Sequence, residues 1–197
     1  YTSASAYYFP TTGRMYAVEV LKGSSQIKYG PFTTGGAINL ISTPIPQKLT
    51  GKLNINGGSF FGRNIHSYIG NTHGNFGYLV ESFNYGANGF KQLDNGGNTG
   101  FNKNDFITKF RFTSDKKSRI QQSLALKLGY CQETSNETYV GLTDDDFNLT
   151  PYRRYAGSQM DVMNSSQNQL SLRYSVEPMN GIKFSTSIYR NNFKRNW

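Results

Sequence analysis

Residues 19–41 read Glu-Val-Leu-Lys-Gly-Ser-Ser-Gln-Ile-Lys-Tyr-Gly-Pro-Phe-Thr-Thr-Gly-Gly-Ala-Ile-Asn-Leu-Ile, and this stretch decides what the remainder of the chain is. Val18 and Val20 alternate about Glu19 as in a short strand, which Lys22 and Gly23 end. A second apolar run, 37–41, follows Gly35 and Gly36, where a backbone without Cβ bends sharply or packs closely. Strand, tight turn, glycine-rich bend and strand are the expected structure. A phosphate-cradling loop competes for the same glycines, but it needs Gly-x-x-x-x-Gly-Lys-Ser/Thr. Gly30 and Gly35 have that gap, yet Gly36 and Ala37 stand where the lysine and hydroxyl belong.

The elements Val18-Glu19-Val20-Leu21-Lys22-Gly23, Tyr29-Gly30, Gly35-Gly36, Ile38-Asn39 and Ile41 fall in one order and spacing. In this the stretch resembles the end of the plug domain of TonB-dependent outer-membrane receptors. Glu19, Gly23, Tyr29, Gly30, Gly35, Gly36 and Asn39 are the structural residues of that motif. The variant Tyr29-Gly30-Pro31 with Gly35-Gly36, followed by Thr43-Pro44-Ile45-Pro46, is most similar to the ferric dicitrate transporters. Ser24 and Lys22 depart from the commoner proline and arginine, which leaves the subfamily open.

The resemblance implies an all-β chain in two parts: 1–46, the C-terminal part of a plug, and 47–197, about seven strands of an antiparallel transmembrane β-barrel. It implies uptake of an iron chelate, ferric citrate, across the bacterial outer membrane, with energy from the TonB complex. Another siderophore or nutrient is the alternative cargo. Iron then enters only as a chelate substrate, with no cofactor and no bond chemistry, so no enzyme is expected. The further partners are outer-membrane lipid and lipopolysaccharide. The family's ligand-contacting glutamine near the plug apex has no counterpart at 1–8.

Composition sets outer limits. The 197 residues are 36% hydrophobic and 15% aromatic, with 21 glycines. No run of 18 apolar residues exists, so no transmembrane helix is expected. A mean hydropathy of -0.58 is compatible with a barrel, whose strands show lipid only every second side chain. The first residues lack the pattern of a signal peptide, and Tyr1 is no initiator, so an internal piece of a longer protein is expected. The single Cys131 cannot form an intramolecular disulfide.

Pro44 and Pro46 each remove a ladder donor and exclude a central strand, so 42–49 reads as a boundary. Beyond it, seven segments alternate: 49–57, 64–70, 76–85, 106–112, 120–130, 169–176 and 182–189. Leu53 and Ile55 oppose Lys52 and Asn54, and Ile65 and Ile69 oppose His66 and Tyr68. Phe106, Phe110 and Phe112 oppose Lys109 and Arg111; Leu124, Leu126 and Leu128 oppose Ser123 and Lys127. Leu170 and Leu172 oppose Ser171 and Arg173, and Phe184 and Ile188 oppose Lys183 and Ser187. The segment 76–85 has apolar residues on both sides and its outward face is not assigned. After the first hairpin, long connections (86–104, 133–166) alternate with tight ones (72–75, 114–118, 177–180). That asymmetry fits a barrel with external loops and short periplasmic turns.

The formal charge is +9, and a basic, aromatic chain could bind nucleic acid. Lys52, Lys109, Arg111, Lys127, Arg173 and Lys183 are spread over successive strands rather than clustered, so no nucleic acid is expected. Asp144-Asp145-Asp146 and Asn148 suggest a calcium loop, but Leu149 and Tyr155 occupy its glycine and glutamate positions. Thr143 capping a short helix that begins with the three acids is the better account. His66 and His73 lack partners at metal spacing, so no metal site is expected. The candidate ligand residues are Arg153 and Arg154 with flanking Tyr152 and Tyr155, and Lys91 and Gln92 in the other long loop. Guanidinium forks match carboxylates; a solvated basic turn, or contact to lipopolysaccharide phosphates, is the open alternative. The sequence from Gly141 through Phe147, then 152–155, also resembles the third external loop of ferric dicitrate transporters. Tyr130, Tyr189 and Trp197 suit aromatic girdles or ordinary sheet packing.

Overall fold

Period-two alternation of apolar and polar side chains selects extended backbone, and strands dominate the chain. The computed structural model describes residues 10–24, 27 and 35–197. Tyr29 and Gly30 of the motif, and the segment 1–8, lie outside the described residues. Two compact units are present, Tyr1–Pro44 and Ile45–Trp197.

In the first unit β1 (Met15–Leu21) pairs antiparallel with β2 (Ala37–Ser42), with Glu19 opposite Asn39. The Asn39 side-chain amide donates to Glu19 Oε2 at 2.8 Å. Gly23 and Gly36 take φ of +73° and +124°, conformations that side chains with a Cβ rarely adopt. The motif glycines are therefore where the strands end and begin.

The second unit runs β3 (Thr50–Gly58), β4 (Gly62–His73), β5 (Phe76–Ala87), β6 (Gln92–Leu93), β7 (Phe101–Thr113), β8 (Gln121–Ser135), α1 (Asp144–Leu149), β9 (Arg153–Arg154), β10 (Met163–Met179) and β11 (Ile182–Asn196). Seven of these strands form one antiparallel meander in the order β11-β10-β8-β7-β5-β4-β3. Each expected segment is one strand of this sheet, and several run well past the expected ends. The extensions are largely polar on both faces, for example 102–105 and 132–135, so alternation does not reveal them. Their backbones still pair, Phe101 with Ser135 and Ser135 with Met163. The long connections shrink accordingly to 88–100 and 136–162.

Register brings the alternations of all seven strands into phase. One row reads Tyr78, Phe110, Leu126, Leu172 and Ile188 from β5 to β11. The row beside it, on the other face, reads Leu79, Lys109, Lys127, Ser171 and Tyr189. The first face is apolar and open, with Leu53, Ile55, Ile69, Val80, Phe106, Phe112, Phe184 and Ile188 all exposed. The second holds all four strand carboxylates, Glu81, Asp105, Glu133 and Glu177. It also holds the buried residues Leu79, Phe83 and Ile107. This assigns β5: Phe76, Tyr78 and Val80 belong to the apolar face, and Leu79, Phe83 and Tyr85 join Glu81 on the other. Tyr189 lies on the polar face opposite Ser171, away from any girdle on the apolar face. At the tight-turn end the apolar face instead carries Phe76, with Tyr78, Phe110 and Phe112 at ring distances of 6.2, 6.1 and 4.8 Å.

The apolar band crosses the strands obliquely. Ile55 on β3 stands in the same row as Ile65, Gln132 and Lys194, yet the uppermost aliphatic or aromatic residue of that face on β11 is Ile188, six residues lower. With about 3.3 Å per residue and about 4.8 Å per strand over the six steps from β3 to β11, the strands tilt by roughly 35° from the normal of the band.

The polar face is approached by backbone where glycine leaves room. A Cβ on Gly70 would meet Pro46 Cδ and the Tyr78 carbonyl at 2.7 Å each, and one on Gly77 would meet Ile45 Cγ2 at 2.9 Å. Thr72 Oγ1 donates to the Pro46 carbonyl at 2.7 Å. The proline segment thus lies across the tight-turn end of that face. On the same face Lys103 pairs with Glu133 at 2.9 Å, and His66 Nε2 lies 2.8 Å from Glu81 Oε1.

Candidate functional site

The two long loops meet through a two-residue parallel pairing of β6 with β9, Gln92 opposite Arg153 and Leu93 opposite Arg154. The Gln92 amide donates to the Tyr152 carbonyl at 2.7 Å, and the Asp94 amide to the Arg154 carbonyl at 3.0 Å. Five of the six candidate residues, Lys91, Gln92, Tyr152, Arg153 and Arg154, therefore gather from loops some 60 positions apart, with Tyr155 beside them.

The two arginines have different occupations. Arg153 is half-exposed and forked onto Asp94, Nε to Oδ1 at 2.8 Å and Nη2 to Oδ2 at 3.2 Å, while Nη1 donates to Asp146 at 2.8 Å. Its guanidinium also lies 5.0 Å from the Tyr155 ring. Arg154 is only 4% exposed. It donates to Ser158 Oγ at 2.9 Å and to the carbonyls of Asn136, Ser158 and Asp161. Those bonds tie both ends of the 136–162 loop to its middle, which makes Arg154 the loop's internal support. Arg154 therefore has a structural task within its loop, and its side chain also borders the cavity below the paired loops.

Thr143 caps α1, accepting from the Asp146 amide at 3.2 Å, with Asp144, Asp145 and Asp146 in the first turn. Asp146 accepts from Tyr155 Oη at 2.5 Å as well as from Arg153. The Tyr155 hydroxyl, with Arg153 and Thr143 nearby, holds the Asp146 carboxyl below its ordinary range. The Arg153 fork does the same to Asp94, and Asp94 in turn raises the guanidinium.

Beneath this clasp is a cavity of about 310 Å³, near the lower limit for small-ligand sites, bounded by Phe60, Phe90, Lys91, Phe101, Glu137 and Arg154. Burial pushes the Glu137 carboxyl up, helped by Glu133. Phe60, Phe90 and Tyr152 make an aromatic rim, with ring distances of 6.4 and 5.8 Å. Phe60 and Phe61 sit at φ of +57° and +54°, an unusual conformation for bulky residues. The sequence reading missed Phe60, Phe90 and Asp94. The Asp94–Arg153 pair carries no local signal, but two phenylalanines between Ser59 and Gly62 in a short turn were available as one.

Among the described residues no group of three or more His, Cys, Asp or Glu side chains could hold a metal ion. Comparison with known proteins finds no matching protein family, no similar curated protein and no similar solved structure.

Proposed function

We propose that this chain is part of a TonB-dependent outer-membrane receptor, the end of its plug and seven strands of its wall, which takes up iron as ferric citrate. The observation that carries the reading is the division of the sheet: an open apolar band on one face and every strand carboxylate on the other. Facing water, that band is unfavourable; burying a Leu, Ile or Phe contributes roughly 1.5–3 kcal/mol each. Facing lipid, it is the expected surface, and spanning strands tilt by about 35–45°, which the oblique band matches. Strand-edge groups of β3 and β11 find partners in further strands of the same wall.

Residues 18–41 support the plug assignment through the resemblance of their motif, and the Glu19–Asn39 pairing is compatible with it. The short connections then face the periplasm and the clasped loops face outward. For the cargo, Lys91, Gln92, Tyr152 and Arg153 offer accessible donors beside the cavity, and a citrate carboxylate competes with Asp94 and Asp146 for Arg153. The support for citrate itself is the resemblance of the plug variant and of 141–155 to the dicitrate transporters. Binding, loop closure and plug rearrangement driven by the TonB complex make up the mechanism, without bond chemistry.

The test is expression of the intact protein in a bacterial host without its own ferric citrate receptor. The expected result is outer-membrane fractionation, heat-modifiable gel mobility, and uptake of labelled ferric citrate that disappears when TonB is deleted. Recovery as a cooperatively folding soluble monomer would overturn the barrel. Uptake of a different chelate would keep the barrel and replace the cargo.

A further inference from the structure

Register brings together four basic residues that the sequence keeps far apart. On the polar face Lys109 of β7 stands directly opposite Lys127 of β8. One row nearer the tight turns, Arg111 of β7 and Arg173 of β10 flank Ala125 of β8. Strand spacing sets the two arginine backbones about 10 Å apart and the lysine row about 7 Å from theirs. From β7 to β11 the rows of Lys127, Ala125 and Ser123 hold these four cations, six serine or threonine residues, Ala125 and Tyr189, and no carboxylate. In the next three rows towards the loops, by contrast, Lys103 and Arg195 are matched by Asp105 and Glu133.

Like charges directly opposite one another destabilise a strand pair, so this turn-side constellation costs stability unless an anion lies against it. Arg111 donates to Thr72 Oγ1 at 3.4 Å and Arg173 to Ser187 Oγ at 3.0 Å. These neutral acceptors position the guanidiniums and leave their charge in place. A field of one sign raises the local concentration of counter-ions, and rings of Arg and Lys select anions where they line a passage. Arg111 lies ten residues along β7 from Phe101 of the loop-side cavity, about 33 Å away, so the four cations form a place of their own. Guanidinium forks on either side of a small alanine suit carboxylates spaced within one molecule better than a single compact anion. We propose that Lys109, Arg111, Lys127 and Arg173 form a transit site for a polycarboxylate anion, the iron chelate once it has left the loops. The site rests on the uptake reading and adds a step to it, transfer from the loops to a second set of cations on the turn-side half of the polar face.

The experiment uses the intact protein in a host without its own ferric citrate receptor. Equilibrium binding of labelled ferric citrate is measured in cells lacking TonB, and uptake in cells that have it. Arg111→Gln/Arg173→Gln should lower the maximal uptake rate roughly tenfold or more through loss of charge-assisted hydrogen bonds, with binding at the loops unchanged. Arg111→Lys/Arg173→Lys keeps the charge and should restore much of the rate. Ala125→Glu places a carboxylate of the chain's own between the arginines; it should slow uptake as the glutamine pair does while assembling at least as well as the wild type. Ala125→Gln, of the same bulk without the charge, should slow it far less. Unchanged uptake in the glutamine pair overturns the site, as does a loss of binding that accounts for the whole loss of uptake, since the cations then belong to the loop site. Failure of both the glutamine pair and Ala125→Glu to assemble also overturns it, because the cations then serve the fold. No uptake by the wild type would instead overturn the cargo reading, and this site with it.

Discussion

In the sheet, backbone ladders satisfy the polar atoms, so side chains on one face are free to be uniformly apolar. In the loops the ladder shrinks to two residue pairs, and side chains do the ladder's work. Arg154 serves three carbonyls there, and Arg153 joins Asp94 to Asp146. A change of charge should therefore damage the sheet only on its apolar face, whereas in the loops loss of a single cation should release a whole segment.

The largest effect is expected at Arg154. Arg154→Ala leaves the Asn136 and Asp161 carbonyls without their Arg154 donor and takes one of two donors from the Ser158 carbonyl, which keeps the Asp161 amide at 3.1 Å, a cost of roughly 2–6 kcal/mol of loop stability at about 1–3 kcal/mol per unsatisfied buried group. Limited proteolysis should nick 136–162 far faster while, on the proposed barrel reading, heat-modifiable mobility stays as in the wild type. Arg154→Lys should rescue little, since an ammonium lacks the planar fork. Loss of that mobility in Arg154→Ala would show that loop and sheet are not separate in the way proposed.

Next comes Leu172→Arg, in the middle of the apolar band between Leu126 and Ile188. A cation near the bilayer midplane of a barrel costs about 2–4 kcal/mol, so if the proposed barrel is right, assembly into membranes should fall steeply. Its neighbour Ser171→Gln, directed to the polar face beside Lys127, should assemble normally. Equal tolerance of both would remove the lipid-facing assignment of the band.

These two positions also show what sequence alone reveals. The sheet was legible because alternation is local: Leu172 and Ser171 declare opposite faces within two residues. The phase of β5 was not, since Leu79 and Val80 are both apolar, and only pairing of Val80 with Ile69 and Thr108 fixes it. In the loops, composition located the residues that gather, Lys91 and Gln92 with 152–155, but could not divide their tasks. Arg153 and Arg154 are chemically identical neighbours; one faces Asp94 from a loop 59 residues earlier, the other is enclosed by its own loop. Nothing within either loop encodes that difference. The capped helix was readable because a cap and its first turn lie within four residues.

A smaller effect sharpens the sheet side of the comparison. Gly70→Ala places a methyl 2.7 Å from both the Tyr78 carbonyl and Pro46 Cδ, neither of which is a flexible side-chain end. Gly129→Ala meets Ile107 Cδ1 at 2.8 Å, the movable tip of an isoleucine. Overpacking costs about 1–3 kcal/mol, and Gly70→Ala should fall in the upper part of that range and Gly129→Ala in the lower, by urea-dependent unfolding in detergent micelles. The reverse order would mean that the proline segment yields more easily than the packed face of β7.

The smallest effect is the acid response of the clasp. Asp94 and Asp146 both titrate below the ordinary carboxylate value of 3.8, through bonds from Arg153 and Tyr155 respectively. A lowered folded-state pKa contributes stability that is present above the unfolded value and disappears as pH falls through the folded one. Arg153 shifts upward, so its contribution is lost only in strong alkali. The clasp should therefore be unchanged from pH 7 to 5 and loosen below about pH 4. Both carboxylates are solvent-accessible, so salt should weaken the contact as well. Spin labels at positions 95 and 159, whose side chains join the loops at 3.1 Å, give a distance distribution that reports this directly. Arg153→Ala should already be broad at pH 7 and insensitive to further acid, which separates removal of the cation from protonation of its partners. Opening of the wild type between pH 7 and 5 would assign the clasp to some group other than these two aspartates.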